Sequence, residues 1–277
     1  MSSTTERVRA ADGTELLVRH WPATTKPAWA TVLIVHGLAE HSGRYEHVGN
    51  RLAEAGAEVA SYDHRGFGAS GGPRAYVDDW SQLHDDLVGR LVAAREAADG
   101  RPVAIYGHSV GGLVALGYAL TDRPQPDAYV LSAPAVEGDI PAWQRFAANV
   151  LSTVAPRFLI ANAFDDTTLS RDPTVGERYV EDPLTFRKTS TRFAVLAFRE
   201  QQRVLESLDR LDRPTLVIHG GEDSLVPTAS SERLAELPGV TRRVLPGLRH
   251  EVHNEPEGLE VVDGIAEWLR STLGQSA

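Results

Sequence analysis

The residues Gly107-His108-Ser109-Val110-Gly111 have types and spacing that can do chemistry. They form a G-x-S-x-G pattern between an apolar run and a helical one, the context in which such a pattern turns a strand sharply into a helix. Glycines two residues either side of the serine let neighbouring elements approach without a Cβ clash. The turn presents the Ser109 hydroxyl at a sheet edge and aims the Val110 N–H at the same point, where a helix N-terminus favours negative charge. A hydroxyl needs a base to become a nucleophile, and the base needs an orienting acid. On a strand–turn–helix elbow these partners follow the serine in the order acid, then histidine. Asp223 is the expected acid, with Glu222 as its rival; His250 is the expected base, with His253 as its rival. A second N–H for the oxyanion is expected from the loop His36-Gly37-Leu38, at Leu38. His36 itself reads as a packing residue.

These groups need a scaffold. Arg7–Ala11 and Glu15–Trp21 flank Asp12-Gly13, a hairpin signal. The continuous apolar run Thr31–Val35 suits a strand buried on both faces. Tyr45, Val48, Leu52 and Ala55 repeat at helical spacing up to Gly56, and Ala57–Tyr62 reads as the next strand. Trp80, Leu83, Leu87 and Leu91 form another helical stripe, followed by a strand at Val103–Tyr106, a helix at Val110–Leu120 and a strand at Tyr129–Leu131. From Ala135 to about Leu205 no strand is expected, and Pro141, Pro156, Pro173 and Pro183 punctuate a helical composition. Alternation resumes with Thr215–Ile218, a helix over Ser230–Leu237, Thr241–Leu245, and a last helix with Leu259, Val262, Ile265 and Leu269 on one face. Such alternation predicts an α/β fold with a mostly parallel central sheet and helices on both faces. The expected organisation is a core in two parts, 1–134 and 206–277, with a helical cap inserted at 135–205.

Composition narrows the chemistry. In 277 residues there are 28 basic and 38 acidic side chains, a formal charge of −10, which argues against nucleic acid as a partner. With no cysteine there is no disulfide, no thiolate nucleophile and no thiolate-bound metal. Met1–Asp12 is polar, so no signal peptide is read there and the cytoplasm is the default expectation. Phe146–Phe164 carries a single charge, Arg157, but Pro156 and four polar residues interrupt it. It reads as a buried or surface-seeking amphipathic segment rather than a spanning helix.

Several blocks together resemble the monoacylglycerol lipases, α/β-hydrolases of the bacterial type. They are His36-Gly37-Leu38-Ala39-Glu40-His41-Ser42-Gly43-Arg44-Tyr45, Tyr62-Asp63-His64-Arg65-Gly66-Phe67-Gly68-Ala69-Ser70, the elbow through Gly112, the cap segment Leu169–Pro173, and the tail His250–Glu255. The resemblance carries over the same three residues, Ser109, Asp223 and His250. It also implies a polar pocket for a glycerol headgroup, for which Glu40, Arg44 and His253 are the candidates by position; Glu40 and Arg44 would equally serve as an ion pair fixing the oxyanion loop. Two departures stand out. Phe67 replaces a histidine of the second block, and Val110 replaces a methionine after the serine. The stiffer Val110 puts the shape of the acyl pocket in question.

The resemblance implies a serine hydrolase that cleaves monoacylglycerols through an acyl-enzyme and needs no metal or organic cofactor. A lysophospholipase or a general carboxylesterase with the same triad is the alternative. A lipid ester is the expected partner, with transient contact between cap and membrane, so a cytoplasmic protein that is peripheral at membranes. Phe146, Val150, Leu151, Val154, Phe158, Leu159 and Ile160 are candidates to line an acyl tunnel, with packing onto the catalytic core as the alternative for some faces.

Overall fold

The computed structural model describes residues 3–137, 142–162 and 165–274; the side chains of 142–147, Phe146 among them, lie outside that description. Ten strands are described: β1 Thr4–Arg9, β2 Glu15–Trp21, β3 Thr31–Val35, β4 Glu58–Tyr62, β5 Val103–His108, β6 Ala128–Ser132, β7 Leu159–Ala161, β8 Lys188–Ser190, β9 Thr215–Gly220 and β10 Val240–Leu245. The helices are α1 Glu46–Glu54, α2 Ser81–Ala98, α3 Val110–Ala119, α4 Ala142–Val154, α5 Pro173–Glu181, α6 Thr191–Glu206, α7 Glu232–Ala235 and α8 Gly258–Leu273.

Eight strands form one sheet in the order β1-β2-β4-β3-β5-β6-β9-β10. The pairs β1–β2 and β2–β4 are antiparallel, and every later pair is parallel. The chain leaves β3 toward β4 and returns on the other side at β5. The switch point, where a parallel sheet opens a crevice beyond its carboxyl ends, therefore lies between β3 and β5. The His36-Gly37-Leu38 loop follows β3 and Ser109 follows β5, so both elements border that crevice.

Alternation along β3 explains its unbroken apolar sequence. Leu33 and Val35 join a cluster with Leu83, Leu87 and Leu91 of α2 and Leu113 and Leu116 of α3. Val32 and Ile34 join the cluster on the opposite face, with Val48 and Leu52 of α1 and Val262, Ile265 and Leu269 of α8. A strand covered on both sides favours apolar residues on either face, and in β3 only Thr31, at its start, is polar.

Some sequence expectations need correction. The segment after β6 does contain strands: β7 and β8 pair antiparallel, Leu159 to Ser190 through Ala161 to Lys188. Strands of three residues, joined across a long connection and exposed in β7, are too short to leave a period-two signal. The helix expected over Ser230–Leu237 is a 3-10 turn, Thr228–Ser231, running into the single turn of α7. Leu259 is half exposed, so the buried stripe of α8 runs Val262, Ile265, Leu269, Leu273. The segment 135–205 packs on the loops at the carboxyl end of the sheet: Phe186 N–H donates to the Ala39 carbonyl (3.1 Å) and Glu251 N–H to that of Leu169 (2.8 Å). Its last helix, α6, lends Phe193, Leu196 and Val204 to the α2–α3 cluster and so belongs as much to the core as to the insertion. Among the described residues no helix is long and apolar enough to cross a membrane.

Candidate active site

The elbow is built as its glycines require. Ser109 sits at φ 53°, ψ −119°, a conformation that costs a non-glycine residue on the order of 1–3 kcal/mol and persists only where neighbours hold it. They do: its N–H donates to the Ser132 carbonyl (2.9 Å), and its own carbonyl accepts from Leu113 (3.0 Å) and Ala135 (3.0 Å). A Cβ on Gly111 would come within 2.2 Å of the Val35 carbonyl oxygen, and one on Gly107 within 2.6 Å of that of Gly111. No side chain fits at either place. Val110 opens α3, so its N–H has no acceptor within the helix. Among the described residues neither this N–H nor that of Leu38 donates to another group.

Asp223 and His250 come from the loops after β9 and β10. Asp223 Oδ1 accepts the N–H groups of Leu225 and Val226, both at 2.9 Å, which locks the carboxylate in place. Its Oδ2 lies 2.7 Å from His250 Nδ1. A carboxylate can only accept, so His250 carries its proton on Nδ1 and leaves Nε2 as the acceptor. His219 lies on the other side, its Nε2 3.3 Å from Asp223 Oδ2 and 2.7 Å from the Val226 carbonyl. Burial alone would raise the Asp223 carboxyl; the His219 and His250 contacts and the Val226 N–H outweigh it and hold the group well below the usual carboxylate range. Ser109 and His250 both line a cavity of about 240 Å³. The rivals are placed elsewhere. Glu222 is exposed. His253 is buried, with Nδ1 against the Tyr106 hydroxyl (3.2 Å) and its ring stacked on Tyr45 (5.0 Å).

The oxyanion loop is folded around Glu40. Its Oε1 accepts the Gly37 N–H (2.5 Å) and the Tyr45 hydroxyl (2.7 Å), while its Oε2 meets Arg44 Nη1 at 2.6 Å. Arg44 also grips Glu251 with both terminal nitrogens, at 2.7 and 2.8 Å. Burial would raise both carboxyls, but the guanidinium between them keeps each ionised, and together they raise Arg44. His36 bridges two loops. Its Nδ1 donates to the Gly37 carbonyl (2.7 Å) and its Nε2 accepts the His64 N–H (2.8 Å). Burial lowers its basicity, so the ring stays neutral. Phe67 packs edge-on against His36 and Phe193 and fills the space between loop and α6.

Of the three residues expected at a headgroup, only Glu40 reaches the cavity wall. Arg44 is spent on two carboxylates, and His253 lies behind Tyr45 and Tyr106. The expected acyl lining also needs correction. Val154 and Phe158 are 74% and 57% exposed, and Val150, Leu159 and Ile160 also face outward. The apolar wall is supplied instead by Leu38, Val110, Leu169, Leu225 and Val226, and its polar part by Glu40, Glu137 and Glu251. Glu251, Glu137, Tyr179 and Gln201 were not singled out from the sequence. Only Glu251 carried a signal, its place beside His250.

The family model described as serine aminopeptidase, S33, matches residues 26–257. A monoacylglycerol lipase of Mycolicibacterium smegmatis is 35% identical over 268 residues, 94% of this chain and 95% of that one. An uncharacterized abhydrolase domain-containing protein of Dictyostelium discoideum is 33% identical over 99% of this chain, which spans only 30% of that protein. The crystal structure of a Paleococcus ferrophilus monoacylglycerol lipase superposes with a TM-score of 0.79 at 28% identity, over 98% of this chain and 100% of that one. The match reaches from just before β3 to just beyond the loop carrying His250, and the chain belongs to the serine aminopeptidase, S33, family of α/β-hydrolases.

Proposed function

We propose that the chain is a carboxylic-ester hydrolase that cleaves monoacylglycerols to glycerol and a fatty acid, with Ser109 as nucleophile, His250 as base and Asp223 as its orienter. The ester carbonyl docks against the N–H groups of Leu38 and Val110. His250 Nε2 takes the proton of Ser109 as its oxygen attacks the carbonyl carbon. Asp223, ionised and hydrogen-bonded at Nδ1, stabilises the imidazolium. The glycerol oxygen leaves with the proton from His250, and a water activated by the same nitrogen then releases the fatty acid. Two preorganised N–H donors suit this chemistry, since loss of one typically costs about a hundred- to a thousandfold.

The observation that carries the substrate assignment is the charge of the cavity wall. Among the described residues its charged members are Glu40, Glu137 and Glu251, with no lysine or arginine; Arg44, behind the wall, offsets one of the two carboxylates it joins and leaves a net negative charge. A neutral, hydroxyl-rich headgroup is accepted beside such groups, whereas a phosphodiester would meet like charge. The apolar wall takes the acyl chain, at about 0.8 kcal/mol per buried methylene. The relatives named monoacylglycerol lipase, one of them 35% identical over nearly its whole length, support the same substrate. The outward face of the insertion, Val150, Val154, Phe158, Leu159 and Ile160, supports transient contact with a lipid surface.

The test is hydrolysis of a monoacylglycerol beside a lysophospholipid of the same acyl chain, with Ser109→Ala as control. Fast turnover of the first, little of the second and a dead mutant are expected. Preference for the lysophospholipid would overturn the substrate, and an active Ser109→Ala the mechanism.

A further inference from the structure

Glu251 follows the base directly and has no role in the steps above. Both of its oxygens are occupied. Oε1 takes Arg44 Nη1 at 2.7 Å; Oε2 takes Arg44 Nη2 at 2.8 Å and Asn254 Nδ2 at 2.7 Å. The same Arg44 Nη1 reaches Glu40 Oε2 at 2.6 Å, and Glu40 Oε1 holds the Gly37 N–H at 2.5 Å. An unbroken line of charge-assisted bonds therefore runs from the residue after His250 to the residue before Leu38. Two walls of the cavity are tied to it: Glu251 N–H donates to the Leu169 carbonyl (2.8 Å), and the Arg44 guanidinium covers the Tyr179 ring at 4.9 Å.

The need for such a line follows from the sheet. The oxyanion loop leaves β3 and the His250 loop leaves β10, with β5, β6 and β9 between them. No ladder sets the spacing of two loops that far apart, yet a catalytic constellation must hold to within about 0.5 Å. A bidentate arginine–carboxylate pair fixes direction as well as distance. Stability alone does not explain it. Two carboxylates share one guanidinium in a site where Glu40, Arg44 and Glu251 side chains are 3%, 10% and 4% exposed, and taking charge out of water is costly.

We infer that Glu251 is a positioning residue: through Arg44 and Glu40 it sets the Leu38 N–H relative to His250 and ties both to the cavity wall at Leu169 and Tyr179. This rests on the roles proposed for Ser109, His250 and Leu38, and the experiment separates the two ideas. Glu251→Gln keeps the volume and the backbone bond to Leu169 but removes the charge that grips Arg44. Turnover of a short chromogenic ester is measured per site titrated with a fluorophosphonate, together with the affinity of an alkyl boronate, whose tetrahedral adduct on serine occupies the oxyanion site. A displaced donor should cost less than an absent one, so kcat is expected to fall about ten- to a hundredfold with KM within threefold. Boronate affinity should weaken by the same factor, and Glu251→Asp should recover part of both. Arg44→Lys, which keeps charge but loses the fork, should show the same parallel loss and serves if Glu251→Gln does not fold. Per-site kcat and boronate affinity within twofold of the parent would overturn the inference. So would a fall in kcat with unchanged boronate affinity. If the parent itself is not labelled at Ser109, the reading of the site fails, and the positioning role with it.

Discussion

Asp223→Asn replaces one oxygen by an NH2 at the centre of the site, and the structure says which oxygen matters. Oδ1 accepts two backbone N–H groups at 2.9 Å, a task an amide oxygen performs equally well, so the loop keeps its anchor. The flipped amide would set its NH2 against those two donors and is excluded. The NH2 must then stand where Oδ2 stood, 2.7 Å from His250 Nδ1. Donor faces donor, and His250 relieves the clash by moving its proton to Nε2. No lone pair then remains to accept the Ser109 proton, and the negative charge opposite the imidazolium is gone. The wrong tautomer in a serine triad costs about 10⁴ in kcat, or roughly 5.5 kcal/mol. His219 adds a second conflict, because its Nε2, bound to the Val226 carbonyl, also carries a hydrogen 3.3 Å from the same position. An unsatisfied buried donor costs about 1–3 kcal/mol, so a lower urea midpoint accompanies the lost activity. The assay is steady-state ester hydrolysis per titrated site, with urea unfolding on the same preparation. A loss below tenfold in folded protein would refute the tautomer argument.

Other expectations follow from the same structure. Gly111→Ala drives a methyl into the Val35 and His36 carbonyls, at 2.2 and 2.3 Å, and should lower stability by about 3 kcal/mol or more, read as an unfolding midpoint. Glu200 is buried, which alone would raise it, but Arg203 at 2.7 Å and His84 at 3.3 Å hold its carboxyl at about 2. A carboxyl lowered on folding stabilises the protein above its unfolded value near 4.5 and loses that effect as pH falls toward 2. The stability gap between parent and Glu200→Gln, about 3 kcal/mol at pH 6, should therefore close between pH 5 and 2; a gap independent of pH would contradict it. Phe158→Asp, on the outward face of the insertion, should weaken binding to neutral lipid vesicles and slow long-chain substrate while leaving short soluble esters within twofold. Equal losses on both substrates would argue against lipid docking.

Much of the fold was legible because its signals are local. A strand buried on both faces is mostly apolar, and Thr31–Val35 ends where its apolar run ends. The elbow is legible for the same reason: its glycines are demanded by contacts within the turn and with β3. The elbow, the chain order and the ends of the later strands likewise put Ser109, Asp223 and His250 on loops at one sheet edge. Where local pattern fades, the reading fades with it. The three-residue strands β7 and β8 have no periodicity to read, and α7 is one turn long.

What only the tertiary structure decided is which face each residue shows and what it meets there. An apolar run in the insertion reads alike whether it lines a tunnel or faces solvent, and Val154 and Phe158 turned out to face solvent. The resemblance offers Glu40, Arg44 and His253 as headgroup candidates by position, with a Glu40–Arg44 ion pair fixing the oxyanion loop as the alternative, and that pair is what the fold forms. Their partners, Glu251 at 207 residues' separation from Arg44 and Tyr106 at 147 from His253, leave Arg44 and His253 without a place on the cavity wall. Sequence alone determined the backbone turns, the strand cores and the chemistry on offer, because these depend on neighbours along the chain. The pairing of charges across loops depends on how the sheet brings distant residues together.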